Sequence, residues 1–189
     1  MHDDDTLVVY QAYPPVIAER ALQAGTFVAP FKRDRMTWIK PSFLWMMYRS
    51  GWAQKPGQER VLAVTIQRAG LDWALAHSCL SENDATLYDS HDAWRERQLA
   101  SPVRVQWDPE RSLTLARLDH RAIQIGLGGD AVARYVDDWI VALADVTALA
   151  REVGALVTAG DLDAARDRLP VERPLALSRE AATAAGASA

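Results

Sequence analysis

The chain has 189 residues, 49% hydrophobic and 24% charged, enough to bury a core without covalent staples. Its one cysteine, Cys79, excludes an intramolecular disulfide; the start "MHDDDTLVVY" is acidic where a signal peptide would be basic, so none is expected, and no apolar run reaches membrane-spanning length. Cytoplasmic location with no membrane partner is therefore expected.

The net charge of −4 is unevenly spread, with eight Arg/Lys against three Asp/Glu over residues 14–60 and thirteen against nineteen over 61–189. An acidic chain with one basic segment argues against extended nucleic-acid binding. It leaves room for a confined site for a nucleotide-like small molecule, and a solvated basic face accounts for the charge equally well.

In chain order, "TLVVYQAY" (6–13) has the β-branched and aromatic content of a strand. Pro14-Pro15 ends it and opens a helix that Gly25 closes, and "TFVAPF" (26–31) has the look of a short second strand. "RMTWIKPSFLWMMYRSGW" (35–52) then sets three tryptophans among Arg35, Lys40 and Arg49. Lys40-Pro41 starts a helix whose near-continuous apolarity predicts burial on most sides; Ser42, Trp45, Met46 and Arg49 share one face of it.

"RVLAVTIQR" (60–68) predicts a strand, "GLDWALAHSCL" a helix, and residues 81–101 a loop with some helix around Trp94. "VRVQWD", "SLTLARL" and "RAIQIGL" suggest three strands, the first two joined by "PER". After Gly128-Gly129-Asp130, helical spacing of Val132, Val136, Trp139, Ile140, Leu143 and Val146 predicts one long helix over 131–153. Asp161 caps a short helix stopped by Pro170, "ERPLAL" (172–177) suggests a last strand, and residues 178–189 read as a flexible tail. The expected fold is a single α+β domain over 6–177, with a mixed or antiparallel sheet and packed helices.

His2, His77, His91 and His120 show no ligand spacing with one another or with Cys79, so no metal site is predicted. "DSHD" (89–92) reads as loop, because adjacent residues cannot face one another as a triad does. "GLGGD" (126–130) matches no phosphate-loop fingerprint and reads as a turn with an Asp cap. The segment from Lys32 to Arg49 is different. A guanidinium on a buried helix needs an anionic partner, either an internal carboxylate or a ligand phosphate. Aromatic rings beside such cations suit a stacked base or nicotinamide.

"YQAYPPVIAERALQAGTF", the 35–68 motif, "VRVQWDPER", "RAIQIGL" and "LPVERPLAL" resemble the family named domain of unknown function 4291, over roughly residues 7–177. The order of elements also resembles the ADP-ribosyltransferase superfamily, enzymes that split the nicotinamide–ribose bond of NAD and pass ADP-ribose to an acceptor. That resemblance implies NAD as substrate, with Tyr10-Gln11 at the first-strand NAD position, where the superfamily has His or Arg, and Glu172 as the catalytic carboxylate. On this reading Arg35, Lys40 or Arg49 holds the pyrophosphate, Tyr10, Tyr13 or Trp45 packs the nicotinamide, and Ser42 borders the pocket. A structural reading of Glu172 makes it an exposed carboxylate at a strand start or the partner of Arg173 or Arg49. A non-catalytic module that binds a nucleotide or a nucleic-acid base is the alternative function.

Overall fold

A computed structural model describes residues 5–187; the acidic run at Asp3-Asp4, His2 and the last two residues of the tail lie outside them. Strand β1 (Thr6–Tyr13) leads into helix α1 (Pro15–Ala24), which Gly25 closes in the left-handed conformation. Residues 26–31 form no strand. A turn closed by Phe31 N donating to Val28 O (3.0 Å) stacks the Phe27 and Phe31 rings 4.7 Å apart in the core. The second strand comes later, as β2 (Thr37–Ile39), followed by α2 (Phe43–Ser50), β3 (Arg60–Gln67), α3 (Arg68–Ala76) and β4 (Ser78–Leu80). Helix α4 (His91–Ala100) surrounds Trp94 as expected.

Strands β5 (Val103–Arg111) and β6 (Arg117–Leu127) form a hairpin. Its turn is 112–116, not "PER": a register shift between Pro109 and Arg111 lets the proline stay inside the strand. The single helix expected over 131–153 is instead four pieces. They are α5 (Asp130–Arg134), a π-helical turn (Tyr135–Trp139), strand β7 (Ile140–Asp145) and α6 (Thr147–Ala159). The outer edge of β3 has backbone groups to satisfy, and residues 140–145 supply them by pairing antiparallel with residues 62–66. That ladder outweighs the helical periodicity.

Helix α7 (Leu162–Asp167) is capped by Asp161, whose carboxylate accepts from Ala164 N at 3.2 Å. "ERPLAL" is extended but pairs with no strand among the described residues; it crosses the domain as a strap. The segment expected to fray is helix α8 (Arg179–Ala185), with Ala181 and Ala185 fully buried and the Ala185 carbonyl accepting from Trp107 Nε1 at 2.7 Å.

The strands make two sheets, β1-β3-β7 and β2-β6-β5-β4, antiparallel except for the parallel β4–β5 pair. One bridge links them: Tyr10 N donates to Lys40 O (2.7 Å) and Lys40 N to Tyr10 O (3.3 Å). The main core lies on the side of β1 that carries Leu7, Val9 and Tyr13; Tyr10 belongs to a second cluster with Phe43, Met46 and Met47 of α2 and Ala150 of α6. The protein is thus α+β, and no helix among the described residues is long and apolar enough to cross a membrane. Deleting residues 179–189 should uncover this packing and lower the melting temperature by roughly 4–8 °C, the shift expected for about 2 kcal/mol in a chain of this size. An unchanged thermal unfolding curve would show that α8 adds nothing to the core.

Candidate functional site

Alternation along β1 divides the sequence-predicted site. Gln11 and Tyr13 point into the core, and Tyr10 points the other way. The Gln11 amide is closed on every side: Nε2 donates to Tyr13 Oη (2.9 Å), Thr37 Oγ1 (2.8 Å) and Trp38 O (3.2 Å), and Oε1 accepts from Tyr135 Oη (2.7 Å). Burial pushes the Tyr13 hydroxyl up to about 12, against the Thr37 hydrogen bond and the nearby Arg35, both of which lower it. The Tyr135 hydroxyl is also raised well above its ordinary value, by full burial first and then by Tyr13. With 2% exposure and a complete set of partners, Gln11 is a structural residue facing away from Tyr10. The shared Tyr10-Gln11 face is therefore corrected.

Two of the expected cations are also displaced. Arg35 is exposed beside the Tyr13 end of β1, and Arg49 is exposed in the last turn of α2, so no guanidinium is buried on that helix. Ser42 spends its hydroxyl as the cap of α2, accepting from Trp45 N at 3.1 Å. The three tryptophans solve packing problems set by glycine and lysine. Trp38 lies over Gly126, Trp52 lies against Gly154, and Trp45 lies 4.9 Å beneath Lys40 Nζ.

Lys40 is the cation that the fold buries, at 5% exposure. Antiparallel partners share a face, so its bridge with Tyr10 turns both side chains toward α2. Burial first, and then the Arg49 charge, lower its pKa to about 8, with Asp108 opposing. The Asp108 carboxylate is itself held by Gln124 Nε2 (2.7 Å) and Gln106 Nε2 (3.1 Å). Arg111 is a second buried cation, at 8% exposure, with its Cζ 3.5 Å from the Tyr48 ring centre.

Glu172 lies in the strap rather than in a strand. Its Oε1 accepts from Phe43 N at 2.7 Å, placing a carboxylate on the N-terminus of α2, where the helix dipole favours it. Neither Arg49 nor Arg173 pairs with it among the described residues. The residue is exposed, but its carboxylate end is crowded. Burial raises its pKa, the Phe43 amide pulls it back, and Glu110 raises it again. The Glu172 charge in turn adds to burial in holding the Tyr10 hydroxyl up.

Glu172 opens on a cavity of about 510 Å³ that Ser42 also lines. Its walls are apolar, from Leu7, Leu75, Ile123 and Leu175, and its rim carries Glu110, His120, Arg121 and Arg173. A second cavity of about 670 Å³, polar and bordered by Ser81 and Asp84, shares Trp107 and Arg121 with the first. Of the sequence-predicted residues the structure brings Ser42 and Glu172 to the first cavity, sets Tyr10 within reach of the Glu172 charge and Lys40 over the Trp45 ring, and leaves Tyr10, Gln11, Tyr13, Arg35, Lys40, Trp45 and Arg49 outside the cavity lining. Glu110, Asp108, Arg111 and Arg121 were not singled out from the sequence, and His120 was weighed only as a metal ligand. Only the alternation in "VRVQWDPER" hinted that Gln106 and Asp108 share a face. Among the described residues no group of three or more His, Cys, Asp or Glu is placed to hold a metal.

Replacing Gln11 with Met keeps its bulk but takes the acceptor from the buried Tyr135 hydroxyl and one hydrogen bond each from Tyr13 and Thr37, which keep only their bond to one another. If the network is structural, urea unfolding should show a loss of roughly 2–4 kcal/mol. A variant as stable as the parent would return Gln11 to the list of ligand contacts.

No curated protein and no solved structure matches the chain. A family profile does match it, over residues 1–175, and the description attached to that profile is domain of unknown function 4291. The chain belongs to that family.

Proposed function

We propose that the protein acts on a nucleotide of the NAD class and cleaves its nicotinamide–ribose bond, as ADP-ribosyltransferases do. The observation that carries this reading is the Glu172 carboxylate, set at the mouth of an apolar cavity beside Glu110 with its pKa raised by burial. Cleaving an N-glycosidic bond sends the bonding pair out with nicotinamide and leaves positive charge on the ribose. A carboxylate held in a partly desolvated site stabilises that charge, and paired carboxylates serve glycosidic cleavage generally. Apolar walls suit a nicotinamide ring, and Arg121 and Arg173 on the rim suit a pyrophosphate. These rim arginines replace Arg35 and Arg49 in the phosphate role.

One observation favours the non-catalytic alternative, a nucleotide- or base-binding module. The first strand offers the cavity no polar contact at Gln11, because that amide is spent inside the core.

Incubation with NAD should release free nicotinamide, and Glu172→Gln should slow release by roughly a hundredfold or more with little change in NAD affinity. The amide oxygen of Gln can still accept from Phe43 N. The raised pKa means that ionised Glu172 costs the folded state, a cost felt as pH rises through that pKa. The Gln variant should therefore melt no lower than the parent at neutral pH. Turnover that needs ionised Glu172 should fall on acidification at a pH above 4.5, the ordinary glutamate value. NAD binding without nicotinamide release would favour the module, and neither binding nor release would overturn both readings.

A further inference from the structure

Strand β4 ends at Leu80, while its parallel partner β5 runs on to Arg111. In a parallel pair every second residue turns its N–H and C=O toward the neighbouring strand. Val105 does so, its carbonyl accepting from Ser81 N at 2.8 Å, and Trp107 is the next residue in that phase. Beyond Leu80 that edge of β5 is open, and no backbone partner meets Trp107 there among the described residues. The polar cavity of about 670 Å³ lies in this gap, lined by residues 106–108 and by the loop 81–85.

The two cavities adjoin at Trp107 and Arg121, which line both. Trp107 is fixed there by its Nε1 bond to Ala185 O, and Arg121 enters no ion pair among the described residues. Two carboxylates of the polar cavity keep acceptor capacity. Asp84 spends Oδ1 on Thr86 N (2.8 Å) and Thr86 Oγ1 (2.6 Å), and Glu82 is exposed and enters no ion pair among the described residues. The third, Asp108, is held by two glutamine amides. We propose that the polar cavity is the adenosine half-site of a dinucleotide, selecting a free ribose 2′-hydroxyl over a 2′-phosphate. The assignment rests on the NAD reading of the first cavity.

An adenosine half needs partners for a phosphate, a ribose diol and a base edge, and the lining holds a group for each. Arg121, common to both cavities, stands where the pyrophosphate joins the two halves, and its guanidinium suits that anion. The carboxylates of Glu82 and Asp84 suit the ribose, since a carboxylate only accepts and a diol has two protons to give. The N–H and C=O of Trp107, side by side on the open edge, form a donor–acceptor pair that matches the amino and ring-nitrogen edge of adenine. A phosphate ester on the ribose would bring its negative charge against the same two carboxylates, and like charges brought together at an interface are strongly disfavoured.

ADP-ribose and its 2′-phosphorylated form are the probes, because calorimetry reads their binding without any glycosidic cleavage. The parent should bind ADP-ribose more tightly than the 2′-phosphate by roughly tenfold or more. The double variant Glu82→Gln, Asp84→Asn should bring the two affinities toward parity. Ala85→Trp, which fills the cavity from an exposed loop position, should weaken ADP-ribose by roughly tenfold or more and melt with the parent. Equal affinities in the parent, a preference unchanged in the double variant, or undiminished binding in Ala85→Trp would each overturn the half-site. The same titrations in Glu172→Gln separate the two readings. ADP-ribose bound with this preference by a protein that releases no nicotinamide from NAD would sink the cleavage reaction and leave the half-site standing. Nicotinamide released from nicotinamide mononucleotide with the same kcat/KM as from NAD would keep the reaction and sink the half-site.

Discussion

Two backbone hydrogen bonds between Tyr10 and Lys40 organise this molecule. They are the only bridge between the sheets among the described residues, and they set the side-chain phase of both strands. Partners in an antiparallel bridge point the same way, so Tyr10 and Lys40 go together toward α2. Their neighbours Gln11 and Ile39 go together into the core. A slip of one residue would exchange the two sets, sending a lysine into the core and a satisfied glutamine into the open.

That phase produces two buried polar regions of opposite character. On the core side, the Gln11 amide, the Tyr13, Thr37 and Tyr135 hydroxyls and the Trp38 carbonyl complete one another, and the network ties β1 to β2 and to the π-helical turn. A closed network rigidifies a fold and leaves nothing for a ligand. On the α2 side, Trp45 Nε1 and Arg111 Nε are buried with no hydrogen-bond partner among the described residues. Low dielectric makes such an open arrangement costly.

The strap and its helix define the candidate site. Pro174 removes a backbone donor and residues 172–177 join no strand among the described residues, so the strap is fixed at intervals instead. Glu172 is fixed to Phe43 N, Ala176 O accepts from Arg68 Nη2 at 2.6 Å, and Leu175 and Leu177 pack against the core. The space left between this strap, β1 and β6 is the cavity. One carboxylate thus both anchors the strap to a helix terminus and faces the cavity.

Local signals were legible wherever one physical effect acted alone. The alternation in β1 and β3, the left-handed Gly25 and Gly51 ends, the Asp161 cap and the helix around Trp94 all follow from steric preference, capping or short-range burial. The family, too, was legible in the 35–68 motif. Effects decided by distant partners were not. Helical spacing over 131–153 gave way to the ladder that β3 required, "ERPLAL" found no strand to pair with, and the small-residue end became a helix because its alanines fit closely against α3 and β4. The sequence by itself determined that cations, tryptophans and a helix would meet near residue 40. Which cation was buried was decided by the register of a single bridge, because that register sets which face of the strand each side chain takes.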